Sequence, residues 1–143
     1  PGLTISQERR AGFEQALSCH ASAALLTPHV CEGAHFSRAE GYHLIKELHQ
    51  RLGQLPEALV ATSYILMEGV LDYLLEQEAD MSQIAMATFG DDRLLDFLPF
   101  GINSLPQQHD ALAAQALALA FEAINGHYRA GLHCVSRTLK RRR

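Results

Sequence analysis

Cysteine is scarce in this sequence and poorly spaced for covalent or metal chemistry. Cys19, Cys31 and Cys134 are odd in number and form no C-x-x-C pair, so neither a disulfide framework nor a zinc knuckle is indicated, and a reducing compartment fits best. No uncharged apolar run reaches the roughly 18 residues that crossing a bilayer needs. The opening "PGLTISQERRAGFEQAL" is polar and charged rather than a signal peptide, and the expected location is the cytoplasm, with no membrane contact. Strict apolar–polar alternation and β-branched clusters are missing, which argues against strands. So are the marks of catalysis: no G-x-S-x-G, no phosphate-cradling glycine loop, and no carboxylate pair with a fixed partner. Glu68 and Asp72 are like charges four apart, a solvated seam.

What is present suits one folded domain. The chain has 143 residues, 48% apolar and 20% charged, with a formal net charge of -4, which excludes a general nucleic-acid binder. The terminal Lys140-Arg141-Arg142-Arg143 run reads as a solvated basic tail complementing a helix end. Eight histidines raise the question of metal, but none makes H-E-x-x-H. The densest donor group, His29 with Cys31 and Glu32, lies in a loop, so no metal or cofactor is expected.

Helical spacing organises the chain. A first helix is predicted from about Thr4 to Leu26, stopped by Thr27-Pro28. "PHVCEGAHF", residues 28–36, reads as a loop. Ser37-Arg38-Ala39-Glu40 is a capping box opening a helix with Gly41, Leu44, Ile45, Leu48 and Leu52 on one face, closed by Gly53. From Pro56 the run "EALVATSYILMEGVLDYLLEQEAD" predicts one long helix over 57–80. It carries two adjoining apolar stripes, Val60-Tyr64-Met67-Leu71-Leu74 and Leu59-Ser63-Leu66-Val70-Tyr73, and only a narrow wet seam. Residues 79–106 are weakly patterned, with Gly90-Asp91-Asp92 and a Pro99–Pro106 connection. A last helix is predicted from about Pro106 to Leu139. Its apolar stripe through Leu117, Phe121 and Ile124 lies beside a small-residue stripe: Ala116, Ala120, Ala123, His127, Ala130 and Cys134. The expected fold class is therefore all-α.

Two helices with two sticky faces each leave more apolar surface than one core covers. A homodimer through a four-helix bundle answers this economically, with Val70, Tyr73 and the small-residue stripe at the interface. A mix of apolar bulk and polar tips (Phe13, Leu17, His20, Phe36, Tyr42, Ile45, Tyr64 and Met67) is the chemistry of a small-ligand pocket, and Tyr64 and Met67 are the strongest individual candidates.

Three blocks resemble a known family. "CHASAALL", "ALVATSYILMEGVLDYLLEQEAD" and "FEAINGHYRAGLHCVSRTL" are similar, in order and spacing, to the C-terminal ligand-binding and dimerising domain of TetR-type transcriptional repressors, the tetracycline-repressor-like branch. The resemblance implies a helical effector-binding and dimerisation domain over residues 1–143. A small-molecule effector would alter the DNA affinity of an N-terminal helix-turn-helix reader that is not among these residues. "PGLTISQERR" falls where a connecting helix would hand over to the effector domain, so the expectation is a portion of a longer regulator. Aligning "LLEQE" puts Leu75 where the tetracycline-binding members have a metal-linked glutamate, and the loop with His29 and His35 departs from theirs, so a metal–tetracycline ligand is not expected. The rival from another class is a helical interaction module, such as a secretion chaperone or anti-sigma-like partner, and a small helical enzyme stands behind both.

Overall fold

The computed structural model describes residues 4–20 and 29–143, His20 by its backbone alone. Helix α1 spans Thr4–His20 and α2 spans Arg38–Leu52, followed by strand β1, Ala58–Ala61. Helix α3 (Tyr64–Glu76), strands β2 (Ala85–Phe89) and β3 (Ile102–Leu105), and helix α4 (His109–Ile124) complete the order. The three strands form one parallel sheet in the order β1-β2-β3. Strand β1 reaches β2 through α3, a β-α-β unit, while β2 reaches β3 through residues 90–101, which contain only a short 3-10 turn at Arg93–Phe97. The all-α expectation is thus overturned: the architecture is α/β.

Helix α2 forms as its sequence requires. The Ser37 hydroxyl accepts from the Glu40 amide at 3.1 Å, and Gly53 ends the helix at φ 73°, a conformation glycine adopts without steric cost. The Glu40 carboxylate does not close the box on Ser37; it accepts from the Ala34 amide at 2.7 Å and ties down the preceding loop.

The predicted 57–80 helix divides in two. Ala58–Ala61 is a strand, and Ser63 caps a new helix by accepting from the Leu66 amide. A four-residue apolar run satisfies either period, and pairing with β2 decides it. The two sticky stripes then need no second copy of the chain. Helix α3 lies along α2 on one side and touches β1 and β2 on the other. Leu66, Met67, Val70, Tyr73 and Leu74 are buried between them with Ile45, Met86 and Ile102. Strands β2, "AMATF", and β3, "INSL", escaped the sequence reading because they carry few β-branched residues and β3 is hemmed by Gly101 and Pro106.

The last helix is also shorter than expected. It stops at Ile124, with Gly126 at φ 81°, and residues 127–139 run without helix. The chain then returns to the sheet: Ser104 and Lys140 exchange backbone hydrogen bonds of 3.0 and 2.8 Å. The basic terminus is not a solvated tail. The Arg142 side chain is only 9% exposed and pairs with Asp91 and Asp96, each at 2.7 Å.

Candidate functional site

In an open parallel sheet the strands deliver their carboxyl ends, and the helices their amino ends, to one edge, and ligands bind there. Here that edge holds Thr62–Tyr64 after β1, Gly90–Asp92 after β2 and Pro106–Gln107 after β3. A cavity of about 260 Å³ opens at it, lined by Ile5, Arg9, Phe36, Ser63, Tyr64, Phe89, Gly90 and Gln107.

Each wall has a local cause. Ser63 and Tyr64 are the cap and first residue of α3, so the positive end of that helix faces the cavity. Gly90 has φ 87°, and a β-carbon there would lie 3.3 Å from that of Tyr64; glycine meets both the conformation and the close approach. Arg9 projects from α1. It donates to the Thr62 carbonyl at 2.6 Å, and its guanidinium lies 4.8 Å from the centroid of the Phe89 ring, a cation–π arrangement. Burial, and then the charge of Arg137, lower its pKa.

Burial first, then the negative charges of Asp92 and Glu68, push the Tyr64 phenol up to about 12. A ligand at neutral pH therefore meets a proton donor. Because the folded state holds this proton above the ordinary value of 10.0, the linked stability is intact below that value and falls as pH rises toward about 12. In an ultraviolet phenolate titration, Tyr64→Phe should remove one tyrosine that ionises only near the top of that range; loss of an ordinary phenolate instead would contradict the assigned environment.

Of the residues expected in a ligand pocket, Phe36 and Tyr64 line this cavity. Ile45 and Met67 are core residues between α2, α3 and the sheet. Tyr42 donates to Glu76 at 2.6 Å and stacks edge-on with Tyr73. Phe13 and Leu17 lie on α1 outside the cavity lining, and the His20 side chain is outside the described residues. Of the residues assigned to a dimer interface, Val70 and Tyr73 are buried in the chain's own core. Ala116, Ala120 and Ala123 are exposed on α4, and His127, Ala130 and Cys134 are exposed beyond its end, so the six form no continuous helical stripe. Sequence reasoning passed over Arg9, Phe89, Gly90 and Gln107. The usable signal was Gly90-Asp91-Asp92 directly after an apolar stretch, the form of a strand end opening into a loop. Among the described residues no group of three or more His, Cys, Asp or Glu side chains is placed to hold a metal ion, and no helix is long and apolar enough to cross a membrane.

No family model matches the chain. It is 46% identical over 140 residues to the fructose operon regulatory protein of Vibrio cholerae, a match covering 98% of this chain and 41% of that protein. Among solved structures, the Cra transcriptional dual regulator of Pseudomonas putida in complex with fructose 1-phosphate superposes with a TM-score of 0.83 at 43% identity, over 99% of this chain and 52% of that one. A sugar-binding transcriptional regulator of the LacI family from Escherichia coli, complexed with phosphate, superposes at 0.81 with 21% identity, over 98% of this chain and 50% of that one; that likeness concerns the fold alone. The chain thus spans about two-fifths to one-half of the proteins it matches. The coarser expectation, a sensing part of a transcription regulator, agrees with these relatives, whereas the resemblance to the TetR type does not survive them. Sequence identity likens this chain to the fructose operon regulator and to Cra, and its parallel sheet flanked by helices has the fold of solved LacI-family regulators, not that of the all-helical tetracycline-repressor branch.

Proposed function

We propose that this chain is part of the effector-sensing domain of a LacI-type transcription regulator, not an enzyme, and that its effector is a phosphorylated sugar bound at the carboxyl edge of the sheet. The observation that carries this reading is Arg9, partly buried beside the capped end of α3 in a cavity whose other polar walls are Ser63, Tyr64 and Gln107. A guanidinium and a helix amino end are the two groups a protein uses to hold a phosphate. Ring hydroxyls find partners in Ser63, Tyr64 and Gln107, and Phe36 and Phe89 offer apolar faces to the sugar ring. The P. putida relative, solved with fructose 1-phosphate, supports the same ligand class. DNA contact falls to residues outside this segment.

Calorimetric titration of the full-length protein tests the proposal. Fructose 1-phosphate should bind, and unphosphorylated fructose should bind at least tenfold more weakly, the order of one lost charge-assisted contact. Equal affinity for both sugars would remove the anion from the reading. The proposed assembly is a homodimer, supported by the uncovered apolar side chains Leu117, Phe121 and Ile124 on α4. Sedimentation of the full-length protein at micromolar concentration should give a dimer; a stable monomer would refute it.

A further inference from the structure

The residues after β2 look two ways. Gly90 lines the cavity, while the Asp91 carboxylate turns to β3 and the chain terminus, where its Oδ1 accepts from the Ser104 hydroxyl and from Arg142 Nη2, both at 2.7 Å. Ser104 is fully buried. Lys140 Nζ stands 3.6 Å from the other Asp91 oxygen and 2.8 Å from Asp96.

Arg142 is the centre of this group. Its Nε donates to Asp96 at 2.7 Å, and its Nη1 donates to the Ile102 carbonyl at 3.1 Å and to the Ser104 hydroxyl at 2.8 Å. Its own amide donates to the Asn103 side chain at 2.8 Å. One guanidinium therefore grips the start of the β2–β3 connection at Asp91, its middle at Asp96 and its end at Ile102. A planar fork can do this and an ammonium cannot. Gly101, which precedes that end, leaves no room for a β-carbon beneath the Arg142 carbonyl, so the terminal segment lies pressed on the strand entrance.

We propose that Arg142 is a positioning residue for the binding cavity: acting through Asp91, it holds the corner at Gly90 against Tyr64 and so sets the width of the site. This rests on reading the cavity as the effector site. Gly90 has little latitude, since its amide donates to the Leu105 carbonyl at 3.0 Å and even a β-carbon added to it would meet Tyr64 at 3.3 Å. A shift of Asp91 is passed directly to it.

The test combines amide exchange and ligand titration on the full-length protein. Arg142→Gln should speed exchange at Gly90 about tenfold and weaken fructose 1-phosphate binding by about the same factor, the order of one bond to a charged group. Exchange at Val60 in β1 should not change. Arg142→Lys should recover only part of both effects. Asp96→Asn, which leaves the Asp91 bond in place, should keep both within about twofold. The double variant Arg142→Gln/Asp91→Asn should bind no more weakly than Asp91→Asn alone. Unchanged Gly90 exchange in Arg142→Gln overturns the proposal whatever the ligand is. So does a rise spread equally over β1, or a double variant whose losses multiply. If the unmodified protein ignores fructose 1-phosphate, the ligand assignment falls, and exchange at Gly90 still decides the role of Arg142.

Discussion

Gly69→Ala is expected to cost about 3 kcal/mol or more, because overpacking of this kind cannot be relieved by rotating a side chain. Gly69 in α3 and Gly41 in α2 face each other's backbone. A β-carbon on Gly69 would fall inside the Arg38 carbonyl and close on the Tyr42 amide, and one on Gly41 would fall inside the Leu66 carbonyl. Both obstacles are main chain, so the helices must separate, and with them the contacts of Ile45, Met67 and Leu74 that close the core. Small domains have a total stability of about 5–15 kcal/mol, so a large share would be lost. Gly12 is the control. It is exposed on α1 with nothing within 4 Å of an added β-carbon, and Gly12→Ala should gain up to about 1 kcal/mol from helix propensity alone. Urea unfolding should move the two midpoints in opposite directions; a Gly69→Ala midpoint like that of the parent would show that the helices do not meet at these glycines.

The second large effect concerns Arg9. If it holds the phosphate of the effector, Arg9→Ala should lower affinity for fructose 1-phosphate by about 2 kcal/mol, roughly thirtyfold. The loss for unphosphorylated fructose should be far smaller. Folding should suffer little, because Arg9 is only half-buried and its protein partners are the Thr62 carbonyl and the Phe89 face. Arg9→Lys keeps the charge but not the planar group that can bond Thr62 and stack on Phe89 while meeting an anion, and should recover only part of the affinity. A calorimetric titration in which Arg9→Ala binds like the parent would place the phosphate elsewhere.

Local chemistry was legible wherever a few adjacent residues decide it. Ser37 and Gly53 mark α2 because caps act within one turn, whereas the expected stop of the first helix at Thr27-Pro28 lies outside the described residues. The strands were hidden because their stability lies in pairing that no neighbour in the sequence reveals. "ALVA" runs on into an apolar helix, and only the Ser63 cap separates them. In β3, Asn103 and Ser104 resemble turn residues, yet Ser104 is buried and bonded to Asp91 and Arg142, and Asn103 binds the terminal amides. The all-α expectation failed there, and the dimer deduced from it lost its first premise, since the two faces of α3 are covered by α2 and the sheet. The cavity was partly legible: Phe36 and Tyr64 are aromatic residues beside polar ones, whereas Arg9 and Gly90 gain their roles only when α1 and β2 converge.

Residues 106–139 leave the sheet and rejoin it at neighbouring points, Ser104 facing Lys140. Such a segment behaves as a closed loop in the polymer sense, and its closure entropy grows only with the logarithm of its length. Doubling it would cost about 0.6 kcal/mol. Insertions and deletions between Gly126 and Leu132 should thus be nearly free as far as the sheet is concerned, while a one-residue slip at Lys140 would carry Arg142 off all its partners at once. Length variation among natural relatives should accordingly gather inside the excursion and stop abruptly at its two feet.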